Sequence, residues 1–399
     1  MELLGVPFEL VLFALVLAGV ALLHDRTFEI ALCGLVAVTL YELAFTGFHG
    51  TPGLAGLLDH LAHEWPTLAN LLCLLLGFAL LSDHFERSRL PALLPRFLPD
   101  DWRGAFALLA VVFVLSSFLD NIAAALIGGA IAHTVFRGRI HIGYLAAIVA
   151  ASNAGGSGSV VGDTTTTMMW IDGISPRAIV HAYAAALPAL FVFGIPAALQ
   201  QQRHQPILKD APAGVRLDWR RIAVVTIVLA AAIAANVGAN VGIPEPADSF
   251  PFVGVAVALA LLATVPLCSP SWSLIPSSLK GALFLLCLVT TATLMPVERL
   301  PAASWQTALG LGFVSAVFDN IPLTALALAQ GGYDWGVLAY CVGYGGSMLW
   351  FGSSAGVAIA NMYPEAKSVG AWLLGGWHVL LGYVVGFAVL IAALGWRPS

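Results

Sequence analysis

The chain has 399 residues, of which 59% are hydrophobic and 10% charged, with a formal net charge of -5 and a mean hydropathy of +0.90. Apolar stretches of roughly 18 to 30 residues recur from Val6 to Leu394, which excludes a soluble α/β protein and indicates an all-α polytopic membrane protein. Nothing resembles a nucleic-acid-binding surface, and the five scattered cysteines lack metal-ligand spacing and read as small buried residues.

The first apolar segment, 6–23, has no basic flank and no clean cleavage signal after it, so it is expected to remain in the mature protein. A polar turn at His24-Asp25-Arg26 leads to a second segment over 28–45, then to a Gly/Pro-containing connection with an interfacial stretch at 54–62. A third span is predicted over 66–81, followed by a basic, proline-broken loop over 83–103. Two arms, 104–119 and 122–135, then flank the polar segment Ser116-Ser-Phe-Leu-Asp-Asn121. Each arm falls short of the ~20 residues of a full crossing, so a re-entrant hairpin tipped by Asp120 and Asn121 is predicted. The stretch 140–167 reads as a crossing interrupted by the glycine-rich segment Ser152 to Thr167, continuing towards Ile171, and an ordinary span over 179–199 closes the group.

The polar linker 200–218 divides the chain into a first repeat, 1–199, and a second, 219–399. The second repeat has spans at 219–237, 252–267 and 281–295, short arms around Asp319, an interrupted crossing over 335–360 and a closing span over 369–395. Ser116-Ser-Phe-Leu-Asp-Asn-Ile matches Ser315-Ala-Val-Phe-Asp-Asn-Ile 199 residues later, and Gly155-Gly156-Ser157 and Gly162 match Gly345-Gly346-Ser347 and Gly352 190 residues later. The recurring order of motifs argues for duplication, with six elements in each half. Five crossings and one hairpin per half make the two halves inverted, because five is odd. Of the 17 Lys and Arg residues, all but Arg177, Arg299 and Arg397 then fall on one side, which the positive-inside bias makes the cytoplasm. Both termini are accordingly expected outside.

A broken helix leaves carbonyl groups at one end and N–H groups at the other without partners. Carbonyls beside carboxylates and hydroxyls make a hard oxygen site, suited to a small cation and poor for a soft metal. Asp120, Asn121, Asp319 and Asn320 offer such oxygens at the hairpin tips, and Asp163, Thr165 and Thr166 at the first break. Ser353 stands where Asp163 stands in the first repeat, leaving three carboxylates rather than four. Burial favours the protonated carboxyl and a bound cation favours the ionised one, so proton and cation can compete for one site and exchange needs no second pocket. No Lys or Arg lies inside a predicted crossing, which disfavours an anionic cargo, although helix N-termini helped by sodium would still accept one.

The same aspartates would also serve as buried acceptors that knit helices together, Asn121 and Asn320 as local caps, and Thr164 to Thr167 as a helix start. Asp172 reads as a solvated turn residue, Glu42 as an interfacial acid or a proton relay, and Trp65, Trp102 and Trp219 as interface anchors. His133, His181 and His378 read as packed or interfacial histidines.

At its interruptions the chain resembles the NhaD-type sodium/proton antiporters of the ion transporter superfamily. The resemblance rests on Ser116 to Asn121, Ala151 to Gly156, Gly162-Asp-Thr-Thr-Thr-Thr-Met-Met-Trp170, Asp319-Asn-Ile-Pro322, Gly343 to Ser347 and Gly352 to Gly356, and departs from the family at Gly158-Ser-Val-Val161. It implies exchange of cytoplasmic sodium or lithium for external protons across a bacterial inner membrane, with no cofactor. It carries function to Ser116, Asp120, Asn121, Asp163, Thr165, Thr166, Ser315, Asp319 and Asn320, with a serine contribution from Ser347 or Ser353. An elevator-like or rocking alternating-access cycle is expected, and a homodimer would give that motion an immobile scaffold. A sodium-coupled importer of a small carboxylate or oxyanion is the alternative transporter. The carboxylate carriers of the superfamily look like they use paired Ser-Asn-Thr signatures, whereas this chain has only Ser152-Asn153-Ala154. An intramembrane aspartate hydrolase is disfavoured because the aspartates recur with whole structural units.

Overall fold

The computed structural model describes residues 2–3, 6–23, 26–48, 51–93, 97–208, 216–242 and 250–398; parts of the predicted turn at 24–26, the 83–103 loop and the 200–218 linker lie outside these residues. Two-residue strands, Glu2–Leu3 and Val6–Pro7, pair antiparallel ahead of an otherwise helical chain. Helices α1 (Phe8–Leu22) and α2 (Thr27–Tyr41), the latter continued by a π-helical turn over Glu42–Thr46, precede α3 (Gly53–Arg87) and the short α4 (Leu90–Leu93). The first pair of short arms is α5 (Trp102–Ser116) and α6 (Asn121–Val135), and the first interrupted helix is α7 (Ile142–Ser157) and α8 (Thr164–Ile171). After α9 (Pro176–Val180) and α10 (Tyr183–His204) come α11 (Trp219–Gly242), α12 (Phe252–Thr264) and α13 (Ile275–Thr293). The second arms are α14 (Trp305–Ser315) and α15 (Asn320–Gln330), the second interrupted helix α16 (Trp335–Gly345) and α17 (Ser354–Met362), and the chain closes with α18 (Val369–Gly375) and α19 (Trp377–Leu394).

Among the described residues, five helices are long and apolar enough to cross a membrane: Thr27–Thr46, Gly53–Arg87, Pro176–His204, Trp272–Thr293 and Trp377–Leu394. Shorter apolar helices, including α5, α6 and α12, accompany them. Helices satisfy their own backbone groups, as a bilayer interior demands, and the protein is accordingly a multi-pass membrane protein.

Some boundaries differ from those the sequence suggests. The interfacial stretch at 54–62 and the span at 66–81 are one helix, α3, which runs through Pro66 and on to Arg87. A proline inside a helix costs roughly 3 kcal/mol when nothing compensates. Here tertiary contacts hold the turns before it: His60 Nε2 lies 3.2 Å from Thr293 Oγ1 at the end of α13, and its ring stacks on Phe48. The closing span of the second half breaks at Gly376 into α18 and α19, and Cys33 is exposed on α2 rather than buried.

The helices form two packed groups. α1, α2, α3, α11, α12 and α13 form one group in which α3 packs against α11, α12 and α13 and α2 against α13, with Asn70 of α3 accepting the Gly254 N–H at the start of α12 at 2.9 Å. The interrupted helices and short arms pack around α7 and α16, whose residues are buried on every face. Stacked rings of Tyr340, Tyr344 and Tyr383 fasten α16 to α19, each hydroxyl donating to a backbone carbonyl. The two groups meet where α8 and α15 lie against α3 and α13.

Candidate functional site

Each break ends by starting a helix, and each start is capped by a polar side chain. Asp120 accepts the Ile122 N–H at 3.1 Å, Asp319 the Ile321 N–H at 3.0 Å, Asp163 the Thr165 N–H at 3.1 Å and Ser353 the Gly356 N–H at 3.2 Å. The two tips share their backbone geometry, Asp120 at φ -52, ψ 141 and Asp319 at φ -52, ψ 140. The two breaks also match, Asp163 at φ -141, ψ 140 and Ser353 at φ -144, ψ 154. A short side-chain acceptor at the N-cap satisfies one otherwise unpaired N–H, and a carboxylate there also meets the positive end of the helix dipole.

Glycine lets the breaks lie against the arms. A Cβ on Gly162 would strike the Ser116 carbonyl at the end of α5, and one on Gly352 would strike the Ala316 carbonyl after α14. These contacts are backbone to backbone, so a larger residue could be accommodated only by moving the arm. The glycine pairs of the sequence thus bring each break against its own short-arm pair.

The starts of α6, α8, α15 and α17 converge on one cavity of about 330 Å³, lined by Asp120, Asn121, Asp163, Thr164, Asn320 and Ser354 on one wall. The other wall comes from α3, at Leu75 to Ser82, and α13, at Ser278 to Leu285. Because Ser82 is near the end of α3 and Ser278 near the start of α13, the cavity runs from the breaks towards the face that carries Arg87 and Lys280.

The residues singled out by the sequence fall into three groups. Asp163 is 2% exposed, and its Oδ2, like the buried Thr165 Oγ1 and Ser116 Oγ, has no hydrogen-bond partner among the described residues. The Asn320 amide nitrogen shares that condition, and turning its amide over presents an oxygen instead. A second group is committed to the fold: Thr166 Oγ1 donates to the Ser159 and Asp163 carbonyls, and Ser315 Oγ donates to the Val342 carbonyl at 2.8 Å. The third group links the breaks. Asn121 Nδ2 donates to Asn153 Oδ1 at 3.1 Å, and Asn153 Nδ2 donates to Ser347 Oγ at 2.9 Å and Ser353 Oγ at 3.0 Å.

Asn153 and Ser354 are the residues that sequence reasoning missed. Asn153 was visible only as part of Ser152-Asn153-Ala154, and nothing local indicates that its amide reaches Ser347 and Ser353. Ser354 donates to Asp319 Oδ2 at 3.2 Å, so Asp319 is held by both Ile321 and Ser354. Away from the cavity, the buried His378 Nε2 lies 3.2 Å from Gln200 Oε1, the His133 ring lies 6.2 Å from that of Tyr363, Asp172 is exposed, and Glu42 is buried where α2 changes to its π-helical turn.

The arrangement offers a carboxylate and hydroxyl oxygens in a buried, mostly apolar enclosure with a polar approach, chemistry that fits a small hard cation or a proton. No protein-family model matches the chain. Two plant proteins are similar to it. The protein named sodium/proton antiporter 1 of Arabidopsis thaliana is 28% identical over 341 residues, which cover 72% of this chain and 53% of the relative. Sodium/proton antiporter 2 of the same plant is 27% identical over 333 residues, covering 72% of this chain and 73% of the relative. The chain thus spans about half the length of the first and nearly three quarters of the second. Both relatives are named as transporters rather than enzymes, and the similarity supports the sodium/proton antiporter family in general.

Proposed function

We propose that this protein exchanges sodium or lithium for protons at the cavity where the four helix starts converge, Asp163 being the carboxylate that holds proton and cation in turn. The observation that carries this reading is the Asp163 Oδ2, buried with Thr165 Oγ1 and without a hydrogen-bond partner among the described residues, its helix start being one of three capped by a carboxylate. A buried carboxylate oxygen without a donor is costly unless a proton or cation meets it. The names of the two plant relatives point the same way and do not favour the sodium-coupled importer.

In this reading the halves are inverted repeats, with α5–α6 and α14–α15 as re-entrant hairpins entering from opposite faces. The matching backbone angles of Asp120 with Asp319, and of Asp163 with Ser353, support it. The basic face is the cytoplasmic one, so the cavity is open inward, cytoplasmic cation leaves and external protons enter, and both termini lie outside. A bacterial inner membrane and a homodimer belong to the same reading. The breaks move with the cation relative to the group containing α3 and α13, by an elevator-like or a rocking motion.

The test is proton flux in sealed vesicles carrying the purified protein. Sodium or lithium should discharge an imposed proton gradient, potassium and citrate should not, and Asp163→Asn should abolish the response while inserting normally. Uptake of an anion with sodium and no proton movement would overturn the assignment, and normal exchange by Asp163→Asn would remove that residue from the centre.

A further inference from the structure

A second cavity, of about 730 Å³, lies at the C-terminal end of α3 and shares no lining residue with the cavity at the breaks. Arg87 and Arg89 reach it from the end of α3, and Arg216, Arg220 and Arg221 from the start of α11, with Asp218 as its lining acid. The two segments are tied by the Asp218 N–H, which donates to the Ser88 carbonyl at 3.0 Å. Arg87 pairs with Asp83 at 2.8 Å and Arg221 with Asp218 at 3.4 Å, whereas no acid among the described residues pairs with Arg89, Arg216 or Arg220. Arg89 also has φ 61, a left-handed backbone that a residue other than glycine adopts at a cost.

We infer that this cavity binds the phosphate headgroup of an anionic phospholipid. Guanidinium forks match phosphate oxygens bidentately, and unpaired arginines at a membrane helix end attract anionic lipid. The lipid source, rather than a soluble phosphate, follows from what adjoins the arginines. Trp219 is 69% exposed at the start of α11, where an amphipathic ring suits the headgroup level, and Ile227 and Ile233 further along that helix are exposed where acyl chains would lie. The bound lipid would bridge α3 to the segment that enters α11.

The experiment compares phosphatidylglycerol with phosphatidylcholine retained by the full chain after release from mixed vesicles, measured by native mass spectrometry. Quenching of the Trp219 component by brominated forms of each lipid gives a second readout. At about fivefold per arginine, Arg89→Gly should lose roughly fivefold in retention of the anionic lipid, and the triple variant Arg89→Gly/Arg216→Gln/Arg220→Gln roughly 100-fold. Arg89→Gly removes the backbone strain as well as the charge, so its thermal stability in phosphatidylcholine should be unchanged or higher, and it decides the matter by itself if the triple variant does not fold. Arg177→Gln, on an exposed residue that does not line this cavity, should retain lipid as the unmodified protein does. Equal retention of the two lipids, or undiminished retention by Arg89→Gly, overturns the proposal. Displacement of the lipid by glycerol phosphate at matched concentration would show that the headgroup alone suffices, and would overturn the lipid assignment.

Discussion

Asp163, the cap of α8, and Gly343 on α16 face one another: a Cβ built on Gly343 would lie 3.4 Å from Asp163 Oδ2. Gly343 stands 190 residues after Asn153, and Ser353 stands 190 residues after Asp163. In one pairing the Asn153 amide donates to Ser353; in the corresponding pairing Gly343 offers no donor, and Asp163 Oδ2 is left without one. In the proposed exchange, the capacity of the site to take a cation would turn on a missing amide as much as on a carboxylate.

It follows that Gly343→Asn should place an amide on Asp163 as Asn153 places one on Ser353. Cation-dependent proton flux in vesicles is expected to vanish while the protein remains folded and inserted. Gly343→Ala adds only an ordinary van der Waals contact and should retain most of the flux; if the two variants behave alike, the donor is not what matters.

Adjacent threonines should separate cleanly. Thr165→Val removes a hydroxyl with no hydrogen-bond partner among the described residues, so exchange should fall at least tenfold with thermal stability little changed. Thr166→Val removes a hydroxyl bonded to the Ser159 and Asp163 carbonyls and should cost about 1 kcal/mol of stability. Unfolding curves in detergent beside flux measurements would show whether the two effects divide this way or coincide.

The Asn153 amide makes three interhelical bonds, each worth ~0.6 kcal/mol in a membrane protein, so Asn153→Ala should destabilise by about 2 kcal/mol. Asn121→Ala breaks one of the three and should cost the smaller share. A double variant no worse than Asn153→Ala alone is the expected sign of a single network; additive losses would contradict it.

Gly162→Ala pushes a methyl group onto the Ser116 carbonyl, which cannot rotate away as a side chain can. A loss of at least about 3 kcal/mol or failed insertion is expected. Gly173→Ala is the contrast: nothing lies near that position, and only its positive φ of 90 opposes the change, for a loss of about 1 kcal/mol. Similar yields and melting temperatures for the two variants would show that the break does not depend on the close approach.

Much of this was legible in the sequence because the signals are local. Apolar runs specify helices in a bilayer, glycines interrupt them, and an Asp or Ser ahead of a helix start is a cap within a window of three residues. Asp120, Asp163, Asp319 and Ser353 could therefore be placed at the breaks from the chain alone, but the cap reading fell on Asn121 and Asn320, whereas the structure makes Asp120 and Asp319 the caps and leaves the asparagines as the first helical residues. What the chain could not reveal was which hydroxyls were spent: Thr165 and Thr166 are neighbours of the same type, and only the helix's rotation against 159–163 commits one and frees the other. The continuity of α3 through Pro66 was equally hidden, because contacts with Thr293 and Phe48 offset a local penalty. The meeting of Asn153 with Ser347 and Ser353 was decided by tertiary structure alone, since two buried interrupted helices must first cross before an amide on one can find hydroxyls on the other.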